Sequence, residues 1–327
     1  MLIVTGGGGF IGSVLVWALN RSGHADVVIV DHFGHGDKWR NIAKRDFFEI
    51  VTIDRVSGWL ERYGDEVETV FHLGANSSTT ETDADHVIET NLNASIGWWR
   101  WCAARGKTLI YASSAATYGD GTQGFDDAGD YTAFKRLQPL NLYGWSKHAF
   151  DLWALREAAK GHAPPLWVGL KFFNVFGPNE YHKDFMMSLV AKNYSKIVTG
   201  ESVRLFKSHR TGIADGEQKR DFVYVKDCAE AALWLWRHAK ENGIYNIGSG
   251  TARSFRELME ATGAACGVRA NIDYIDTPSE IRSNYQYLTE AKLSRLRAAG
   301  YNTTFTSLEQ AVADFVTNYL VKPDPYL

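Results

Sequence analysis

The chain has 327 residues, of which 45% are hydrophobic and 22% charged, so it is long enough to fold as a globular protein with more than one lobe. Its net charge of −3 is spread without long runs of one sign, so nucleic acid and anionic membranes are poor candidates as partners. No segment reaches the roughly 20 apolar residues of a membrane-spanning helix. The first predicted strand begins at Leu2 and leaves no room for a secretory signal, so we expect a cytoplasmic protein with a small-molecule ligand.

Short apolar segments alternate with amphipathic helical segments along most of the chain, a pattern typical of α/β proteins. We therefore predict a Rossmann-like, doubly wound parallel sheet with a smaller C-terminal substrate lobe. The predicted strands are Leu2–Thr5, Val27–Asp31, Phe48–Ile53, Val67–Leu73, Thr108–Ser113 and Leu166–Phe173, followed by shorter ones around Val203–Phe206 and Phe222–Val225. The predicted helices are Asp83–Arg105, Leu142–Lys160, Asp184–Ile197, Lys226–Asn242 and a helical tail from Thr289.

These elements predict two units. Residues 1–175 are expected to form a cofactor domain to which some later strands and helices return, and residues 176–327 are expected to form mainly the substrate lobe. Two polar, glycine-containing stretches, 120–138 and 208–218, are predicted surface loops, and the second could equally serve as a lid. The three cysteines match no metal-binding spacing and are expected to be packing residues, so no metal is expected.

A glycine run follows the first strand and precedes a helix. It can be read as Gly7-x-Gly9-x-x-Gly12 or, with wider spacing, from Gly6 through Gly9 to Gly12. Such glycines make a tight turn, let the backbone approach a pyrophosphate and let the helix pack on its strand. The sequence therefore predicts a site for a nicotinamide dinucleotide.

The identity of the dinucleotide depends on residues after the second strand. Asp31 ends that strand and suits the ribose diol of NAD. Lys38 lies seven residues further on and offers a cation for the 2′-phosphate of NADP, to which His32 could also donate a hydrogen bond. NADP is our prediction, and NAD stays possible.

Tyr143 and Lys147 are four residues apart and so share one face of a predicted helix. A hydroxyl–carbonyl redox step needs a tyrosine whose phenolate is stabilised, and a neighbouring ammonium together with a cationic nicotinamide ring would lower the pKa of Tyr143. Ser114, at the end of the fifth strand, would supply a third polar group beside the reacting oxygen. The pair is a weak signal alone and a strong one downstream of the glycine run.

Further segments make the pattern more specific. Together, Gly74–Glu81, Phe172–Lys183, Lys219–Val225 and Leu296–Tyr301 resemble the ADP-heptose 6-epimerases of the extended short-chain dehydrogenase/reductase superfamily. The resemblance implies inversion of C6 in ADP-D-glycero-D-manno-heptose by transient oxidation on bound NADP, for the inner core of lipopolysaccharide. It also implies a homo-oligomer, specifically a pentamer.

The resemblance assigns roles to individual residues. Tyr143 and Lys183 would be the two acid/base groups, Lys147 would hold the nicotinamide ribose, and Ser114 would bind the substrate oxygen. The implied cofactor-binding residues are Gly6, Gly9, Phe10, Ile11, Gly12, Asp31, His32, Lys38, Arg55, Leu73, Ala75, Asn91, Lys147 and Val175. The implied substrate-binding residues are Ser114, Asn174, His182, Lys192, Leu205, Phe206, Lys219, Arg220 and Tyr285.

The chain departs from the family pattern at several points, which puts the sugar contacts in doubt. Leu73 stands where an acidic residue is common, Phe185 replaces a small polar residue, and the two polar loops are longer. Three other functions compete. A sugar-nucleotide 4-epimerase has no use for Lys183, a 4,6-dehydratase would need acidic residues where Ala115 and Ala116 stand, and a non-catalytic nucleotide sensor would be expected to lack Tyr143 or Lys147.

Overall fold

The computed structural model describes residues 1–282 and 285–327. Its main feature is a seven-stranded, wholly parallel sheet with the strand order β10-β6-β5-β4-β1-β2-β3. These strands are β1 Leu2–Thr5, β2 Val27–Val30, β3 Glu49–Val51, β4 Thr69–His72, β5 Thr108–Ser114, β6 Trp167–Phe172 and β10 Gly243–Ile247. From β1 the chain continues to β2 and β3 on one side of the sheet, and from β4 it continues to β5, β6 and β10 on the other. A crevice therefore opens between β1 and β4 at the carboxyl edge of the sheet, where α/β proteins bind ligands.

Two smaller sheets lie outside the main one. Three strands form the order β11-β9-β7, and β12 pairs with β8 in parallel. Their bounds are β7 Asn174–Phe176, β8 Val203–Phe206, β9 Lys219–Tyr224, β11 Ala252–Ser254 and β12 Ile272–Ile275.

The helices vary widely in length. Their bounds are α1 Phe10–Arg21, α2 Val56–Tyr63, α3 Ala84–Val87, α4 Ala94–Arg105, α5 Tyr131–Phe134, α6 Leu142–Ala159, α7 Leu189–Val198, α8 Val225–His238, α9 Phe255–Ala265, α10 Ser279–Arg282, α11 Ser294–Ala298 and α12 Leu308–Phe315. Side-chain caps fix several starts. Asn141 accepts the backbone N–H of Gly144 at the start of α6, and Ser254 forms a capping box with Glu257 at the start of α9.

Apolar side chains form two cores among the described residues. The larger is built on the main sheet and takes in α8 together with Leu296, Tyr301 and Phe305 near the C-terminal end of the chain. The smaller contains Phe176, Val190, Leu205, Leu258 and Phe315, among others. The chain therefore returns to the first core after building part of the second. Within the described residues, none of the helices has both the length and the apolar character needed to cross a membrane.

The predicted fold class is confirmed, and the differences are local. Strand β10 was not predicted, and the helix expected over Asp83–Arg105 contains a π-helical turn at Ile88–Asn93. The helix expected over Asp184–Ile197 begins only at Leu189, because a 3₁₀ turn covers Tyr181–Met186 and Asp184 has a φ of 46°. The tail after Thr289 is α-helical only in α11 and α12, and a π-helical turn at Val316–Leu320 follows α12.

Candidate active site

A cavity of about 510 Å³ lies at the carboxyl edge of the main sheet. This volume is in the range of small-molecule sites in proteins. The cavity brings together residues that are far apart in sequence. The predicted site residues that line it are Gly6, Gly9, Phe10, Ile11, Gly12, Asp31, Lys38, Leu73, Ala75, Ser114, Tyr143, Lys147, Asn174, Val175, His182, Lys183 and Lys192.

The glycine run forms one wall of this cavity. Gly6 has a φ of 67°, and a Cβ there would lie 2.7 Å from the backbone nitrogen of Gly74. A Cβ on Gly12 would lie 2.7 Å from the carbonyl carbon of Gly6. The loop therefore has room only for glycine at both positions, and helix α1 begins directly after Gly9. This is the cradle that a dinucleotide pyrophosphate requires, so the residues present fit such a cofactor.

Asp31 and Lys38 form an ion pair at the end of β2. Asp31 accepts hydrogen bonds from the backbone nitrogens of Gly8 and His32, at 2.8 and 2.7 Å, and from Lys38 Nζ at 2.6 Å. Lys38 Nζ also donates to the carbonyl oxygen of His32 at 2.7 Å. His32 lies in a smaller neighbouring cavity that Lys38 and His182 also line. A carboxylate and a cation thus stand together where the adenosine ribose of a dinucleotide would lie.

Ser114, Tyr143 and Lys147 face the cavity from β5 and α6. The Ser114 side chain hydrogen-bonds the Tyr143 phenol, and Lys147 Nζ donates to the carbonyl oxygen of Ala112 at 2.9 Å. Burial raises the pKa of Tyr143, and the hydrogen bond to Ser114 offsets this in part. Burial lowers the pKa of Lys147 to about 8. The lowering of the Tyr143 pKa expected from Lys147 together with a bound nicotinamide ring stays a prediction, and in the chain by itself burial dominates the pKa of Tyr143.

Lys183 lines the same cavity from a separate segment, the 3₁₀ turn after β7. Its Nζ lies 5.3 Å from the centre of the Phe10 ring. Burial lowers the pKa of Lys183, and the carboxylate of Glu180 acts in the opposite direction. A lysine with a lowered pKa gives up its proton more readily, so Lys183 has the properties of an acid/base group.

His182 lies between the main cavity and the smaller one. Its Nδ1 pairs with Asn41 Nδ2 at 3.1 Å, and burial, together with the charges of Lys38 and Lys183, lowers its pKa to about 4. Because Asn41 Nδ2 is a donor, His182 Nδ1 is the acceptor and the proton of the neutral ring is on Nε2. His182 is therefore a neutral ring at ordinary pH, and it lies beside Lys183 where the two cavities meet.

The other predicted site residues do not line the main cavity. Asn91 is buried and hydrogen-bonds Asn76 and Ser146, whereas Arg55 and Lys219 are exposed. Arg220 is only 7% exposed and stacks on Phe255 and Tyr285. The remaining two, Leu205 and Phe206, lie on β8, where Leu205 belongs to the smaller core and Phe206 packs on Tyr285. Phe255 does line the cavity, so it separates Arg220 from it.

Two residues near the site were missed by the sequence analysis. Glu180 is buried and accepts hydrogen bonds from the Ser188 backbone nitrogen and hydroxyl, at 2.6 and 2.7 Å. Asn41 is also buried, and it donates to the carbonyl oxygen of Gly8 at 2.9 Å as well as to His182. Glu180 lies three residues before Lys183, so its nearness to a candidate acid/base residue was a signal in the sequence that it belongs near the site. Nothing in the sequence around Asn41 signals its contacts.

The described residues contain no group of three or more His, Cys, Asp or Glu side chains suited to a metal ion. The doubly wound sheet, the glycine cradle and the Ser114–Tyr143–Lys147 group together define a nicotinamide-dependent enzyme. The chain belongs to the NAD dependent epimerase/dehydratase family, whose model matches residues 2–248.

Individual relatives are similar over the whole chain. An ADP-L-glycero-D-manno-heptose-6-epimerase of Fusobacterium nucleatum is 45% identical over 335 residues, with complete coverage of both chains. One of Nitratidesulfovibrio vulgaris is 46% identical over 330 residues, again with complete coverage. Among solved structures, the Helicobacter pylori ADP-L-glycero-D-manno-heptose-6-epimerase superimposes with a TM-score of 0.78 and 28% identity, covering 97% of this chain and 95% of that one. The family resemblance indicated by the sequence motifs is thus confirmed.

Proposed function

We propose that this enzyme converts ADP-D-glycero-D-manno-heptose to ADP-L-glycero-D-manno-heptose by inverting C6, a step toward the inner core of lipopolysaccharide. The full-length similarity to curated relatives of that name supports the substrate. The observation that carries the mechanism is that Tyr143 and Lys183 line one cavity from two separate segments, α6 and the turn after β7.

Inversion at a carbinol carbon needs a proton acceptor and a proton donor on opposite faces of that carbon. Tyr143, assisted by Ser114, would serve one face and Lys183 the other. Both groups are half-buried in the cavity, so a charge on either would be screened less than at the open surface. A bound nicotinamide would supply the hydride chemistry at C6. Lys147 would hold the nicotinamide ribose, since its Nζ is fixed near the end of β5 by Ala112.

NADP is the cofactor we propose, with Lys38 supplying the cation for its 2′-phosphate. The proximity of Lys38 Nζ to Asp31, at 2.6 Å, supports an ammonium held at the ribose position. For the nucleotide end of the substrate we propose the group on and around β8 and β9 formed by Leu205, Phe206, Lys219, Arg220 and Tyr285, beyond the wall that Phe255 forms. Asn174 and Lys192, which line the cavity, would contact the sugar. We also propose that the enzyme is a homo-oligomer.

The direct test is incubation of the purified enzyme with ADP-D-glycero-D-manno-heptose while NMR follows the configuration at C6. Inversion at C6 without net accumulation of NADPH is expected. Inversion at C4 of a UDP-sugar in place of this reaction would identify a 4-epimerase and overturn the proposal.

Two variants test the roles of the acid/base groups. Tyr143→Phe and Lys183→Met should each reduce epimerisation at least about 100-fold, the lower end of general acid–base contributions, and leave the cofactor bound. Both should keep part of the oxidation and reduction of an aldehyde analogue, which does not require a choice of face. Tyr131→Phe on α5 and Lys196→Met on the exposed face of α7 are the matched controls. Near-normal epimerisation by Lys183→Met would refute the second-base role.

A further inference from the structure

A buried ion pair joins the catalytic helix α6 to strand β6, outside the cavity. Asp151 is on α6, two turns after Tyr143 and one turn after Lys147, so all three share one helix face. Lys171 is on β6, and its Nζ lies 2.5 Å from Asp151 Oδ2. Both side chains are 0% exposed. Neither residue is used by the mechanism proposed above.

The pair is completely hydrogen-bonded. Asp151 accepts from the Tyr111 hydroxyl at 3.0 Å and from the Ser113 hydroxyl at 2.6 Å. Lys171 donates to Thr117 Oγ1 at 2.6 Å, and its Nζ lies over the rings of Tyr118 and Phe134 at 5.2 and 5.1 Å. Buried ion pairs give little or no net stability compared with apolar side chains of similar volume. Stability therefore does not account for two charges at this place.

Several other ionisable groups lie around the pair, on β4, on β5, on the turn and loop that follow β5, and on α6. They are His72 on β4, Tyr111 on β5, Tyr118 on the turn after β5, Asp127 in the following loop, and Tyr143, Lys147 and His148 on α6. The charge of Asp151 raises the pKa of both Tyr143 and Lys147. Lys171 carries the opposite charge at 2.5 Å from the same carboxylate and so limits this effect.

We propose that the Asp151–Lys171 pair is a positioning element for the reaction: it sets the electrostatic potential beneath Tyr143 and Lys147, and thereby the pH range in which the enzyme works. The inference rests on the proposed function, because Tyr143 and Lys147 are the groups through which the pair acts. The charges of Asp151 and Lys171 oppose each other. Removing one of them therefore shifts the pKa of Tyr143 and the pKa of Lys147 in the same direction.

The two single neutralisations should therefore act oppositely. Asp151→Asn leaves the Lys171 cation alone, which favours the Tyr143 phenolate and disfavours the Lys147 ammonium, so the whole pH–rate profile moves to lower pH. Lys171→Met leaves the Asp151 anion alone and moves the profile to higher pH. A shift of about one pH unit is expected in each case, the scale of a unit charge about two helical turns away at an effective dielectric constant of about 20. The double variant should return close to the wild-type profile.

The experiment measures kcat for epimerisation from pH 5 to pH 10 with the cofactor-loaded enzyme and its three variants. Glu157→Gln is the matched control, because Glu157 is on the same helix and pairs with Lys160 at the surface. Opposite displacements with reversal in the double variant support the proposal. Loss of activity without displacement, or displacement of both single variants in one direction, would show that the pair is only structural and overturn it.

A second measurement does not depend on the substrate. In protein labelled with 13C-lysine, the Lys147 resonance, assigned with Lys147→Arg, should titrate at lower pH in Asp151→Asn and at higher pH in Lys171→Met. If the wild-type enzyme does not act on the heptose at all, the proposed function fails, and this titration still decides the role of the pair. If a single variant does not fold, Tyr111→Phe replaces it: loss of its hydrogen bond to Asp151 should move the Lys147 titration upward, and no movement would overturn the proposal.

Discussion

Lys38 is the residue on which the choice of cofactor depends. Its Nζ is shared between Asp31 and the carbonyl oxygen of His32, so the ammonium is held in place before any cofactor binds. If Lys38 contacts a 2′-phosphate, Lys38→Ala should weaken NADP binding by about 1–3 kcal/mol, the scale of one charge-assisted hydrogen bond. Binding of NAD should change much less. Fluorescence titrations of both cofactors check this, and equal losses would show that Lys38 does not distinguish them.

Gly12 limits the shape of the cofactor loop. A Cβ at this position would lie 2.7 Å from the carbonyl carbon of Gly6 and 3.0 Å from the Cα of Gly7, so the loop must move to accept it. We expect Gly12→Ala to lose most of its bound nicotinamide, measured by absorbance after purification. Gly58→Ala on α2 is the control, because nothing lies within 4 Å of a Cβ there. An alanine-substituted loop with full cofactor occupancy would contradict this account of the cradle.

At the scale of elements, the turn that carries Lys183 is held at several points by the rest of the chain. Asn179 donates to the Ser13 hydroxyl on α1 at 3.0 Å, and the Tyr181 hydroxyl donates to the carbonyl oxygen of Pro325 at 2.9 Å. Glu180 joins the turn to Ser188 at the start of α7. The position of Lys183 therefore depends on α1, α7 and the last residues of the chain together.

Glu180→Ala tests this dependence. Loss of the carboxylate removes the partner of both partly buried donors of Ser188, which costs about 1 kcal/mol, and it frees the turn that carries Lys183. We expect epimerisation to fall at least about tenfold while cofactor stays bound, since a small misplacement of a catalytic group has large effects on rate. Steady-state kinetics and bound nicotinamide are the measurements. Glu230→Ala at the exposed surface of α8 is the control, and equal kinetics of the two variants would contradict the prediction.

At the scale of the whole molecule, the buried His72 and the partly buried His182 lower the stability of the fold in acid, whereas Asp127, whose pKa burial raises to about 6, acts in the opposite direction. Burial lowers the pKa of His72 to about 3 and that of His182 to about 4, both below the value of 6.5 for a free histidine. At pH values between the lowered pKa of each histidine and 6.5, the unfolded chain binds more protons than the folded chain. The contribution of each histidine to the free energy of unfolding should therefore be complete above pH 6.5. It should fall as the pH is lowered toward 4, by up to about 1.4 kcal/mol per pH unit for each histidine.

The variant His72→Gln separates this effect from other titrations. A glutamine can still pair with the hydroxyls of Thr5 and Ser95, as His72 does, but it takes up no proton. Urea unfolding at a series of pH values should show a shallower loss of stability below pH 6.5 than in the wild-type chain. His86→Gln, at an exposed position on α3, is the matched control. An unchanged slope in His72→Gln would contradict the prediction.

The sequence alone determined the features that depend on near neighbours. Alternating apolar and amphipathic segments predicted the doubly wound sheet, the glycine run predicted the cofactor cradle, and the spacing of Tyr143 and Lys147 predicted their shared helix face, because strand and helix periods are local properties. The motifs also indicated the family. Elements late in the chain were harder to predict from the sequence, since β10 is short and becomes a strand only by pairing with β6.

Only the tertiary structure decided how separate segments meet. It brings Lys183 and Tyr143 into one cavity, places Asn41 against both Gly8 and His182, and buries Asp151 of α6 against Lys171 of β6. It also shows that burial, which depends on what packs around the phenol, raises the pKa of Tyr143 in the chain by itself. Solvation and charge are summed over everything that surrounds a group in space, and a sequence records only what is adjacent along the chain.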